Sequence, residues 1–283
     1  MCNRIIIPNT TRFHDSSFAV SYQRPELNVP TRSLDNRLLE RQHSTTEFVR
    51  KGCLVYATAR SLEAMSGLNH ANIRKAVLET TDDKSVIALV DKIYKDAGCP
   101  LLDLSVDAAQ AVMNVNFLAT VRLVNAVLPR MAKRGSGMLV TLGSLCGELG
   151  TPFSGLYNAS KAALHAYTET LTLECRPLGI DILLISGGSV ISNIANNQAK
   201  IYKMPQNSLY KDFTKQIVRR LYASQGNNAM PTAIFAEKVV RKILLPRPPT
   251  YLCVGGNTGM YYLLKWLPRT VALWILWKVM ARP

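Results

Sequence analysis

The chain has 283 residues, 48% of them apolar and 19% charged, with a formal net charge of +15. That length and apolar content support a sizeable core and exclude a disordered chain. Six scattered cysteines with no CxxC pair, and four dispersed histidines, exclude a zinc, haem or other metal centre and read as buried or incidental thiols in a reducing compartment.

Residues 1–45 are polar and lack a clear period. The run Ile5-Ile6-Ile7 is too short for a secretory signal, and Pro8 ends it. The stretch EFVRKGCLVYATAR then reads as the end of a helix, a stop at Gly52 and a buried strand over residues 53–57. Residues 81–98 read as a helix with Thr81 or Asp82 as its N-cap and Gly98 as its stop. A long helical period follows over residues 107–132.

GMLVTLGS is a strand, with Ser144 at its carboxyl end. LYNASKAALHAYTETLTLECRPLG is a helix closed by Pro177 and Gly179. IDILLISGG is a second buried strand, and TAIFAEKVVRKILL is an amphipathic helix. Helices alternating with apolar strand runs predict an α/β fold, a Rossmann-like doubly wound parallel sheet with helices on both faces. In such sheets ligands sit beyond the carboxyl ends of the strands, where LGSLCG and ISGGSV lie.

From residue 246 the character changes. LLPRPPTYLCVGG is Pro-rich and extended, and MYYLLKWLPRTVALWILWKVM is apolar and aromatic but broken by Lys265, Pro268, Arg269 and Lys278. A membrane span wants about 20 predominantly apolar residues, so two short helices at a membrane interface, or a dimer surface, are expected instead. From residue 196 onward, 14 Lys and Arg oppose only Asp212 and Glu237, and all three Trp fall here. Basic residues among Trp and aliphatics suit an anionic lipid surface better than nucleic acid, for which no binding signature is present.

Tyr157 and Lys161 stand four apart on one helix face. An ammonium beside a phenol favours the phenolate, and the pair can then exchange a proton with a carbonyl or alcohol oxygen. The Ser144 hydroxyl, thirteen residues earlier, can polarise the same carbonyl. The alternative, two surface residues on a helix, is made less attractive by the small residues around the pair, Ala159, Ser160, Ala162 and Ala163.

The strand-end GS, the YNASK that follows and the later ISGGSVIS resemble the short-chain dehydrogenase/reductase family. Asn116, in MNVNFLA, matches the helix Asn of that family's tetrad, beside Ser144, Tyr157 and Lys161. The resemblance implies hydride transfer with a nicotinamide cofactor. Tyr157 would be the general acid, Lys161 would lower its pKa and hold the ribose, Ser144 would orient the carbonyl, and Asn116 would support a proton relay. It further implies cofactor contacts from Arg60, Glu79, Gly188 and Ser192, as well as from Asn116, Tyr157 and Lys161. Arg60, at the end of its strand, favours NADP(H), since a basic residue there meets the 2′-phosphate.

The phrases KGCLVYATARSLEAMSGL and RPPTYLCVGGNTGMYYLLKWLPR resemble a fungal branch of acyl-dihydroxyacetone-phosphate reductase-like and natural-product tailoring reductases. That implies a lipophilic carbonyl substrate and association with endoplasmic reticulum or lipid-droplet membranes, with a cytoplasmic enzyme or a homodimer as alternatives. Lys200, Tyr202 and Lys203, in the segment matching the substrate lid, either meet a phosphate or are solvated.

The chain departs from the family pattern in two places. No glycine precedes Gly52, so the glycine-rich turn that cradles a pyrophosphate is absent, and Ala97-Gly98 runs directly into Cys99-Pro100 where a strand and loop are expected. The expectation is a sheet without its usual first and fourth strands. Three explanations stay open: lost coding segments, favoured because the four catalytic residues are kept; a relative that no longer binds cofactor and serves only a membrane or partner; or residues 1–45 rebuilding the missing pieces. The expected organisation is an atypical, poorly structured segment over residues 1–45, a catalytic domain over 46–245 and a tail over 246–283.

Overall fold

The computed structural model describes residues 5–6, 20–23, 38–59, 62–77, 100–192, 202 and 204–282. The chain begins with β1 (Ile5–Ile6), β2 (Val20–Gln23), α1 (Leu38–Arg50), β3 (Leu54–Ala59) and β4 (Ile73–Val77). Next come α2 (Val106–Met113), α3 (Ala119–Arg134), β5 (Gly137–Leu142), α4 (Gly155–Cys175) and β6 (Ile180–Gly187). The C-terminal part holds α5 (Thr214–Tyr222), α6 (Thr232–Ile243), β7 (Tyr251–Val254), α7 (Thr258–Trp266) and α8 (Arg269–Leu276). The helix expected over residues 81–98 lies outside the described residues.

The strands form two hydrogen-bonded groups, β1-β2-β3-β4 and β5-β6-β7. β5, β6 and β7 are parallel, as are β3 and β4. β2 pairs antiparallel with β3, and β1 antiparallel with β2 through Ile5↔Ser21 and Ile6↔Val20. β1 also lies against β5. Two N-terminal strands therefore stand between β3 and β5, where the first and fourth strands are missing from the family pattern. Among the described residues, the segment expected to be atypical and poorly structured over residues 1–45 contributes these two strands and the start of α1. Strands of two and four residues are too short for an alternating pattern to register in the sequence.

The central strands are buried on both faces, as parallel strands between helices must be. On one face Met138, Val140, Leu183 and Ile185 meet Phe48 of α1 and Phe235, Val239, Val240 and Ile243 of α6. On the other, Leu139, Ile180 and Ile182 meet Val124 and Met131 of α3 and Leu171 and Cys175 of α4. Gly52 (φ 76°), after α1, and Gly179 (φ 69°), before β6, take the left-handed conformation that ends a helix without a Cβ clash.

Three boundaries differ from expectation. α1 crosses residues 45 and 46, because its buried Ser44, Thr45 and Phe48 belong to one packed face. The long helix runs from Val106 to Arg134 and is interrupted by a π turn, Asn114–Leu118, in which the Ala119 N–H donates to the Asn114 carbonyl. The Pro-rich stretch after residue 246 contains β7, which pairs with β6, so the tail is built onto the sheet rather than appended to it. Leu267 and Pro268 divide the remaining apolar tail into a helix of nine residues and one of eight that continues as a five-residue π turn, Trp277–Ala281, each too short to span a bilayer.

Candidate functional site

Ser144 follows the end of β5 with an extended backbone and caps the short turn Leu145–Gly147, its Oγ accepting from the Cys146 N–H at 3.2 Å. Its own N–H donates to Nε2 of His165 at 3.0 Å. His165 lies in α4 and is buried. Burial pulls its pKa down to about 4, so at neutral pH the ring is uncharged; because Nε2 accepts, the proton resides on Nδ1. A Cβ on Gly143 would fall 2.0 Å from Nε2, and one on Gly147 would fall 2.8 Å from the Lys161 carbonyl carbon. The turn that carries Ser144 thus packs directly on α4, and only glycine permits that approach.

Tyr157 and Lys161 stand on the first two turns of α4, one half-buried and the other 2% exposed. The Lys161 Nζ donates to the Leu142 carbonyl at the end of β5, 2.9 Å away, and sits 5.8 Å from the centre of the Tyr157 ring. A buried ammonium requires such partners, and here they hold the charge beside the phenol.

Asn116 lies in the π turn and is 3% exposed. Its Nδ2 donates to Ser160 Oγ at 2.9 Å, and Ser160 Oγ donates to the Tyr157 carbonyl at 2.8 Å. Asn116 is thereby tied to the turn that carries Tyr157. Single π turns inside helices often mark functional positions. The fold brings Asn116, Ser144, Tyr157 and Lys161 to one place, linked through Ser160, Leu142 and His165.

Gly188 and Ser192 follow β6. The Gly188 backbone runs so close to the loop after β7 that a Cβ would fall 2.3 Å from the Gly256 carbonyl oxygen. Ser189 and Gly256 exchange backbone hydrogen bonds there. The Ser192 N–H donates to Gln225 Oε1 at 2.8 Å, whereas its buried hydroxyl has no hydrogen-bond partner among the described residues. Arg60, Glu79, Lys200 and Lys203 lie outside the described residues, and the Tyr202 hydroxyl contacts Met204 Sδ at 3.5 Å.

Further residues of the site carry no motif in the sequence. Arg220, on α5, donates to Thr151 Oγ1 from Nη2 at 2.9 Å and Nε at 3.2 Å, and to Cys146 Sγ at 3.6 Å. Thr151 in turn accepts at its carbonyl from Asn158, the neighbour of Tyr157. Arg220 therefore grips both arms of the loop between Ser144 and Tyr157, and no carboxylate among the described residues pairs with it. Tyr261 of α7 lies beside Cys146, and burial pushes its phenol well above the ordinary value. Glu148 accepts from Ser186, Tyr251 and Lys265. Burial pushes its carboxyl up, but those three hydrogen bonds outweigh it and leave its pKa below the ordinary value.

The family model described as short chain dehydrogenase matches residues 43–202. The chain is 30% identical over 214 residues to the short-chain dehydrogenase PC-15 of Penicillium crustosum, covering 70% of this chain and 77% of that one. It is 32% identical over 190 residues to the NADPH-dependent 1-acyldihydroxyacetone phosphate reductase of Schizosaccharomyces pombe, covering 61% and 64%. Among solved structures, a short-chain dehydrogenase from Streptomyces avermitilis superposes with a TM-score of 0.64 over 86% of this chain and 93% of that one, at 22% identity. At that identity the match speaks for the fold alone.

Proposed function

The chain belongs to the short-chain dehydrogenase family, and from that premise we propose that this oxidoreductase uses NADPH to reduce a ketone on a lipophilic substrate, or oxidises the matching alcohol. The observation that carries the reading is the buried linkage of Asn116, Ser144, Tyr157 and Lys161 at the carboxyl end of β5.

The residues fit the nicotinamide end of such a cofactor. Ser192 offers a buried hydroxyl without a partner among the described residues, as a carboxamide requires, and Tyr157 and Lys161 would hold the ribose. At the pyrophosphate end no glycine precedes Gly52, and the described residues hold no glycine-rich turn. Arg60 directly follows β3 and supports NADPH over NADH, as do the relatives named NADPH-dependent. When bound, the nicotinamide supplies the hydride.

The chain's own part is proton transfer and orientation. Tyr157 gives its phenolic proton to the carbonyl oxygen, and Lys161 stabilises the phenolate that remains. Ser144, held by His165 and Cys146, orients the carbonyl. Asn116, held by Ser160, fixes the turn that carries Tyr157. Either a 1-acyldihydroxyacetone phosphate or a terpenoid or polyketide ketone suits a lipophilic site. Arg220, without a carboxylate partner among the described residues, supports the phosphate-bearing form.

The exposed face of the C-terminal helices supports a membrane surface as the place of action, that of the endoplasmic reticulum or lipid droplets. Trp266, Trp274 and Trp277 are 86%, 53% and 50% exposed, Lys278 stacks 4.3 Å from the Trp274 ring centre, and no acidic residue follows Glu237. The test of the reaction is Tyr157→Phe. Ketone-dependent NADPH consumption is expected to fall by roughly 10²–10⁴-fold with the fold intact. Full turnover in that variant would overturn the reading.

A further inference from the structure

Glu148 stands four residues after Ser144, at the end of the catalytic turn. Its Oε1 accepts from Ser186 of β6 and Tyr251 of β7, and its Oε2 from Lys265 of α7. Its backbone carbonyl accepts from Arg269 Nη1 of α8 at 3.0 Å. One residue thus gathers two strands and both C-terminal helices onto the turn that carries the catalytic serine.

The neighbouring contacts run the same way. Leu149 is buried with Leu264 of α7 and Ala272 and Leu276 of α8. Tyr261, one helical turn before Lys265, lies beside Cys146, whose N–H holds Ser144 Oγ. Within the turn, Gly147 N–H donates to the Ser144 carbonyl at 2.8 Å and Glu148 N–H to the Leu145 carbonyl at 3.0 Å. Displacing Glu148 therefore pulls on Ser144 by two routes, each one hydrogen bond and one peptide link long.

We propose that Glu148 is a positioning residue, which through Lys265 and Arg269 makes α7 and α8 a brace on the Ser144 turn. The C-terminal helices are then part of the catalytic apparatus, and the serine orients a carbonyl only while they are docked. The proposal rests on the reading of Ser144 as the carbonyl-orienting residue.

The test separates the carboxylate's two roles. Glu148→Gln keeps an oxygen for Ser186 and Tyr251 but loses the ion pair, Lys265→Met loses the same pair from the other side, and Lys265→Arg keeps it. Each pair-breaking variant is expected to lower kcat for a ketone by ~10-fold while leaving the KM for NADPH within about twofold, and the double variant is expected to be no slower than either single. Lys265→Arg is expected to retain kcat. Hydrogen exchange of the amides from Ser144 to Leu149 is expected to accelerate in the pair-breaking variants, whereas that of β5 stays slow. Unchanged exchange of the turn, or a lowered melting temperature with wild-type kcat, would overturn the brace. Absence of ketone turnover in the wild-type protein would instead overturn the reductase reading beneath it.

Discussion

The Ser144 backbone N–H donates to Nε2 of His165 at 3.0 Å, so a buried histidine sets the position of the serine proposed to orient the carbonyl. His165→Phe leaves that N–H without its acceptor in a buried site. A loss of about 1–3 kcal/mol in stability is expected, together with a lower kcat. Denaturant titration and turnover on the same preparation check both. A variant with wild-type values in each would show that the contact does not position Ser144.

The same ring makes stability depend on pH. Burial lowers the folded pKa of His165 to about 4, against about 6.5 for an unfolded histidine. The unfolded chain takes up the proton first, so stability present above about pH 6.5 is lost as pH falls towards about 4, by up to ~3 kcal/mol. Lys161 and Lys265 act in the same direction as burial, and Glu148 acts against it. The contribution of Glu148 itself, a carboxyl with a depressed pKa, is lost only below about pH 4.5. Urea midpoints measured across this range are expected to fall less steeply in His165→Gln than in the wild type.

Gly143→Ala places a Cβ 2.0 Å from the same Nε2. The ring or the turn must move, and either movement breaks the bond to Ser144. Destabilisation of about 1–3 kcal/mol is expected, with severe loss of turnover. Gly226→Ala, where no atom lies within 4 Å of the new Cβ, is the control and is expected to change neither quantity.

Arg220→Met tests the charge of the substrate. If the guanidinium meets a phosphate, kcat/KM for a 1-acyldihydroxyacetone phosphate falls by roughly 10–100-fold, a change of about 1.5–3 kcal/mol. The dephosphorylated ketone then loses less, only what the freed Thr151 and Cys146 contacts cost. Equal losses on both substrates would assign Arg220 to the loop between Ser144 and Tyr157 rather than to a phosphate.

Replacing Trp266, Trp274 and Trp277 together by Ser removes the most exposed aromatic surface of the C-terminal helices. Co-sedimentation with phosphatidylserine vesicles is expected to weaken by ~10-fold or more. Wild-type binding by the triple variant would overturn the membrane surface. A wild-type dimer that the same substitution dissociates, with no vesicle binding in either protein, would identify the face as a contact between two copies.

The proposed acid–base pair was legible because it is local. Tyr157 and Lys161 share one helix face by spacing alone, and Gly52 and Gly179 mark chain reversals through their positive φ. β5 and β6 are apolar runs long enough to stand out, whereas β7 is four residues inside a Pro-rich stretch and β1 only two. His165, Glu148 and Arg220 fit no motif. Their partners lie 21, 117 and 69 residues away, and periodicity carries no information over such separations.

The sequence by itself determined the family and the alternating α/β order, and it supplied the residues proposed for proton transfer, since these depend on short spacings and on which residues can form a helix or a buried strand. The tertiary structure decided how the site is held. It put two short N-terminal strands between β3 and β5, where backbone groups at the centre of the sheet need partners. It also set the tail's Lys265 against Glu148, because a half-buried carboxylate needs a cation from whichever element packs beside it, however distant in the chain.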